Sequence, residues 1–298
     1  MALPAPPPPF GWLVLRHVAS GEHVSAQFWH ENARRLRRWF PSDPILIIDN
    51  RSNRTVFPLT WRCPEELAPC SVVFHDDDAS AEMLPYYIMA TRQPFRRAVF
   101  LFDSTFALSP KDDHAPAERM ARARATLTTG ETRPLWGFDT RGHFSERHFK
   151  WLSTTTMRLL NALNHSRVLR ARALDYSSWW GCFGAMAVFD VEFATMLFRD
   201  LGFERLRKLL TNRIERMAFE RIMGIVLSFG GFSPAEQPHK RTASPTKRAV
   251  QGDIVDAHPH KIECAPVLRD EFRSRTWSSN RTDKSTQDVF LNKCWALR

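Results

Sequence analysis

Four short runs near the start of the chain are apolar almost from end to end. They are GWLVL (11–15), PILIID (44–49), SVVFH (71–75), which runs into Asp76, Asp77 and Asp78, and AVFLFD (98–103). A run without apolar/polar alternation leaves no face for water, so each predicts a strand covered on both sides. Between them lie stretches with helical spacing: 25–40, with Phe28, Leu36 and Phe40 on one side, and 81–91. This alternation predicts an α/β fold with a mostly parallel central sheet and helices on both faces. Such sheets take ligands outside the carboxyl ends of their strands. Three of the four runs end on or beside an acid there: Asp49, the 76–78 run and Asp103.

Farther along, 109–131 reads as a polar insert, RPLWGFD (133–139) as a strand and 145–163 as a helix. The stretch SSWWGCFGAMAVFD (177–190) reads as a loop, then a strand opened by Gly181 and Gly184, then a helix start at Asp190. Those glycines suit either close passage of a ligand or close packing of a neighbouring element. Residues 213–229 have helical apolar spacing, with Gly230 and Gly231 as the stop. Residues 234–250 are basic and rich in Pro, Ser and Thr, and a flexible segment is expected there. The remaining tail carries the anchors Trp277, Phe290 and Trp295, which predict that it packs back on the domain. The expected organisation is a Pro-rich leader (1–10), a main domain (11–232, in halves 11–140 and 141–232) and a basic C-terminal segment (233–298).

With 42 Lys and Arg against 32 Asp and Glu, the formal charge is +10, which favours an anionic partner without choosing among nucleic acid, an acidic membrane face and a phosphorylated small substrate. Cysteines at 63, 70, 182, 264 and 294 are odd in number and form no CxxC pair. They signal neither a zinc cluster nor a disulfide framework, and a reducing, cytoplasmic setting is the expectation. The start MALPAPPPPFGWLVLRHV has no charged n-region, and no segment has the ~20 apolar residues of a spanning helix. Without a secretory signal, the sequons at Asn50, Asn53, Asn164 and Asn280 read as chance matches.

The order of these elements resembles the GT-A type of nucleotide-sugar-dependent glycosyltransferase, which joins a Rossmann-like half to an acceptor-binding half. Four stretches within residues 11–231 carry the resemblance. Ile47-Ile48-Asp49 is similar to the second strand, whose acid lies near the nucleotide base. Phe100 to Thr105, FLFDST, is similar to the strand feeding the DxD motif, with Asp103, Ser104 and Thr105 at the donor. GCFGAMAVFD, from Gly181 to Asp190, is similar to the glycine-rich strand beside the transferred sugar. Glu220 to Leu227, ERIMGIVL, is similar to the helix start written E-D-V-x-x-G-x-x-L. The chain also resembles uncharacterised glycosyltransferase-like proteins in which Leu-Pro-Tyr-Tyr, here residues 84–87, precedes the strand ending in Asp-Ser.

The resemblance implies transfer of a sugar from a nucleotide diphosphate donor to an unidentified hydroxyl acceptor. Charge on the departing phosphate calls for a divalent cation, Mn²⁺ or Mg²⁺, or for basic side chains, and the acceptor hydroxyl calls for a carboxylate base. Asp49 and Asp103 would hold the donor, and Gly181 and Gly184 would flank the sugar. Glu220 is the candidate base with Asp190 as fallback, and Trp179 and Trp180 would stack on a sugar face. Asp103 with His258 and His260 is the candidate metal set. The chain departs from the family pattern twice: Thr105 stands where a second DxD acid is expected, and Arg221 where E-D-V has its aspartate. Those departures keep open a second class, an inactive relative of this fold or a basic protein that binds nucleic acid or acidic partners. Carboxylates at the strand ends argue against nucleic acid, because they repel phosphate.

Overall fold

The apolar runs form strands where their spacing places them. The structure, a computed structural model, describes residues 6–21, 24–76, 81–103, 105–107, 117–135, 137–138, 150–175, 178–179, 181–228 and 291–293. Strands β1 (Phe10–Arg16), β2 (Ile45–Asn50), β3 (Cys70–His75) and β4 (Arg97–Phe102) join β6 (Arg133–Pro134) and β9 (Ala187–Asp190) in a six-stranded sheet of order β3-β2-β1-β4-β9-β6. β3, β2 and β1 are parallel. The Arg97 amide donates to Pro9 O (3.1 Å) and the Asp103 amide to Leu15 O (2.9 Å), so β4 continues the same direction beside β1. β9 runs against β4, and β6 against β9. The fold is thus α/β, with a mostly parallel mixed sheet flanked by helices.

By contact the chain divides into two units. One comprises Met1–Phe10, Asp78–Val99 and Glu131–Gly252; the other comprises Gly11–Asp77, Phe100–Gly130 and Asp253–Arg298. All residues of β1 and five of the six in β2 are buried. β3 differs from expectation: it is only half-buried, because it is the edge of the sheet and has a neighbour on one side alone. Helix α1 (Phe28–Trp39) buries Phe28, Trp29, Asn32, Ala33 and Leu36, and places Glu31 in its first turn and Arg37 and Arg38 in its last, as the helix dipole favours. Arg37 then fans across the turn beyond, donating to the carbonyls of Phe40, Pro41, Asp43, Leu67 and Pro69.

Two expectations need correction here. The polar insert 109–131 contains a helix, α3 (Ala117–Thr129). Its Arg124 clamps the buried Asp43 carboxylate at 2.9 and 2.7 Å, and its Leu127 is buried, so a few anchors hold a helix whose other residues read as loop. The single strand expected at 133–139 is two short ones, β6 and β7 (Gly137–Phe138). The short β5 (Thr105–Ala107) pairs antiparallel with β10 (Leu291–Lys293), a piece of the tail, while the expected anchors Trp277, Phe290 and Trp295 lie outside the described residues. Residues 230–231 and 234–250 lie outside the described residues.

In the β9 unit, α2 (Leu84–Arg92) packs against α6 (Val191–Arg199), with Tyr87 edge-on to Phe198 at 5.6 Å. The expected helix 145–163 is described as α4 (Lys150–Asn161), and α5 (Ser166–Leu174) and the one-turn α7 (Glu204–Arg207) follow in turn. α8 (Arg213–Leu227) buries Ala218, Phe219, Ile222, Met223, Ile225 and Val226. Burial of each of Phe219, Ile222, Met223, Ile225 and Val226 contributes about 1.5–3 kcal/mol. Its start is set by a capping box: Asn212 Oδ1 accepts the Glu215 amide at 3.0 Å, and Glu215 Oε2 accepts the Asn212 amide at 3.2 Å. Burial pushes the Glu215 carboxyl up, but the Thr211 amide and hydroxyl, Arg158 and the Asn212 amide together hold it below its ordinary value of 4.5. Its stabilising contribution is therefore complete above that value and is lost as pH falls through the lower, folded-state value. Glu215→Gln is expected to lower stability at pH 7 by about 1 kcal/mol. Urea denaturation across pH 3–7 should show the gap from the parent chain closing on the acid side.

Candidate functional site

At the carboxyl ends of β1 and β2, register places Arg16 opposite Asp49. Arg16 Nε donates to Asp49 Oδ2 at 2.6 Å, and neither side chain has any exposure. Asp49 Oδ1 accepts from Arg54 Nη1 (2.7 Å) and from the Ser52 amide (3.3 Å). The Arg16 guanidinium lies over three rings, Phe57 at 3.9 Å, Trp61 at 4.5 Å and Trp29 at 4.8 Å, and these rings meet one another edge to face. Its two terminal nitrogens have no hydrogen-bond acceptor among the described residues; the ring faces take that place. Burial draws Arg16 down from its ordinary value, and the charge and hydrogen bond of Asp49 oppose the shift. Arg54 carries the cluster outward to the exposed Asp76 and lies over Phe74 at 5.0 Å. Asp49, expected at a nucleotide base, thus has both carboxylate oxygens engaged within the protein.

Asp103 sits one residue beyond β4, buried at 3% exposure, with its amide on Leu15 O beside the end of β1. Asp49 and Asp103 therefore stand at the ends of the strands that flank β1 on either side. Thr105 opens β5. Ser104, Trp180, His258 and His260 lie outside the described residues. Among the described residues, no three His, Cys, Asp or Glu side chains gather to hold a metal ion.

The remaining candidates belong to the β9 unit. The glycine-rich strand expected from Gly181 is broken: β8 (Gly181–Cys182) pairs with β7, a turn covers Phe183–Ala185, and β9 joins the large sheet. Gly184 (φ 61°) and Ala185 (φ 55°) are both left-handed, and only the first is a residue that adopts this freely. Side chains from two helices hold the turn: the Gly184 amide donates to Glu220 Oε1 at 2.9 Å, and the Tyr86 hydroxyl donates to Ala185 O. Beside Glu220 lie Cys182, whose thiol is pushed up by burial and then by that carboxylate, and Arg221, lowered by burial to about 10 despite the attraction of Glu220. Asp190 caps α6 by accepting the Phe193 amide at 2.8 Å and also meets the Thr132 hydroxyl at 3.3 Å. Trp179 is a core residue at 2% exposure. The Arg216 that shares a helix face with Glu220 pairs with Glu82 at 3.5 Å.

Sequence reasoning missed the aromatic cage and Arg54. The available signal was Arg16 itself, a charge closing one buried run where the neighbouring run closes on the opposite charge. Compared with known proteins, the chain matches no family model and no curated protein.

Removing one partner of a buried pair strands the other charge, so Asp49→Asn is expected to destabilise the chain by about 3–5 kcal/mol in chemical denaturation. Glu220→Ala should cost about 1–3 kcal/mol, because it strands the Gly184 amide, whereas Glu220→Gln, which keeps an oxygen acceptor, should retain most of that stability. Equal losses for the two Glu220 variants would show that the hydrogen bond is not what holds the turn.

Proposed function

We propose that the chain is a GT-A-like glycosyltransferase that moves a sugar from a nucleotide diphosphate to a hydroxyl acceptor. The observation that carries this reading is the placement of Asp103. The parallel order β3-β2-β1-β4 reverses its direction of growth between β1 and β4. Open α/β sheets bind ligands at such a switch point, outside the carboxyl ends of the strands. Asp103 closes β4 at that point.

In this reading Asp103 positions the donor. Arg54, partly exposed and tied back to Asp49 and Asp76, supplies positive charge where the diphosphate departs. The resemblance makes Glu220, in the β9 unit, the candidate base for the acceptor hydroxyl; its carboxylate is held by the Gly184 amide. One set of observations favours the inactive relative instead: Glu220 and Asp190 are both engaged in holding backbone.

Titration with a panel of nucleotide sugars, with and without Mn²⁺, is expected to raise the melting temperature, by about 2.7 kcal/mol of added stability at a hundredfold excess over Kd. Asp103→Ala should abolish that rise while leaving the fold intact. Donor hydrolysis that is lost in Glu220→Gln with donor binding retained separates the transferase from an inactive binder. Absence of stabilisation by any nucleotide sugar, together with steeply salt-dependent binding of DNA or RNA, overturns the reading.

A further inference from the structure

Cys63 lies in the loop that follows Trp61, and Cys70 is the first residue of β3. Seven positions apart, their sulfurs stand 2.7 Å from each other, closer than thiols in ordinary contact. Formation of a disulfide would require a further approach of about 0.7 Å. Both residues are half-buried, unlike the buried Cys182. The chain around them is firmly held. Arg37 binds the carbonyls of Leu67 and Pro69 on the approach to Cys70, and Trp61, two residues before Cys63, stacks on the Arg16 guanidinium.

The two sulfurs differ in their surroundings. Cys63 accepts a hydrogen bond from the Cys70 thiol and feels the positive charge of Arg16, and these effects outweigh burial to favour its thiolate. Cys70 also faces positive charge, from Arg37 and Arg16, but its bond to Cys63 and then burial outweigh it and push the thiol up. One sulfur thus has the character of an attacking thiolate and the other of a resolving thiol.

We propose that Cys63 and Cys70 form a redox-active dithiol that closes to an intramolecular disulfide by exchange with small-molecule disulfides. The Cys63 thiolate attacks one sulfur of the reagent RS–SR, forming Cys63–S–S–R and releasing RS⁻, which takes up a proton. Cys70, giving up its proton, then attacks the Cys63 sulfur, forms the Cys63–Cys70 bond and expels the second RS⁻. The protein dithiol is oxidised by two electrons and the reagent is reduced to two thiols. The closed form ties the Trp61–Cys63 loop, whose Trp61 lies against the Arg16 guanidinium, to the edge strand.

The test uses the native full-length chain, reduced and then exposed to oxidised glutathione, with remaining thiols alkylated and the products read by intact mass and peptide mapping. Wild type is expected to give a linked Cys63–Cys70 peptide with no glutathione retained on either residue. Cys70→Ser is expected to stop at a stable glutathione adduct on Cys63, and Cys63→Ser to leave Cys70 unmodified over the same time. In the reduced chain, limited alkylation should label Cys63 about tenfold faster than Cys70. Persistent glutathione adducts in wild type, or a link from Cys63 to Cys182, Cys264 or Cys294, overturn the proposal. An adduct on Cys70 in Cys63→Ser, formed as fast as that on Cys63, overturns the assignment of attacker and resolver.

Discussion

The Arg16–Asp49 pair is the interaction around which the β1 unit is arranged. Removing two charges from water costs several kcal/mol per ion, and a lone pairwise attraction seldom recovers it. Here the cost is met on both sides. Asp49 has a second guanidinium and a backbone amide, and Arg16 has three ring faces. The rings come from α1 and from the segment between β2 and β3, so one buried charge sets the position of several separate pieces of chain. The pair also locks the alignment of β1 on β2, since slipping by one residue would separate the charges inside the core.

The Gly184–Ala185 turn shows the same logic with backbone in place of charge. Two successive left-handed residues are unfavourable for an alanine, and they persist because a glutamate and a tyrosine on neighbouring helices satisfy the peptide groups there. The turn diverts the chain from a small two-stranded sheet into the large one. The carboxylate read as a general base is therefore a structural strap as well, and its orientation is inherited from the fold.

The sequence made the strands legible because burial on two faces writes itself as unbroken apolar runs, and β1, β2 and β4 match those runs within a residue or two. Helices α1, α6 and α8 were legible from spacing and caps, and the role of Asp190 as a cap from its place before α6. The aromatic cage was not, because Trp29, Phe57 and Trp61 are far from Arg16 in sequence and each alone reads as core. α3 was hidden because its anchoring Asp43 lies 81 residues away from Arg124. The closeness of Cys63 and Cys70 was hidden because nothing in their spacing distinguishes a loop that folds back from one that does not.

Arg37 has a consequence for how the chain tolerates change. Its planar guanidinium spans carbonyls on both sides of a turn through three separate nitrogens. A lysine has one nitrogen and cannot reach them together, so a replacement that preserves every unit of charge still dismantles the turn. The same geometry recurs in the two-pronged grip of Arg124 on Asp43 and in the Arg54 bridge from Asp49 to Asp76. At these positions, the chain's preference for arginine over lysine is a record of shape. The variants that survive in this protein's lineage should be constrained there by the span of a side chain rather than by its sign.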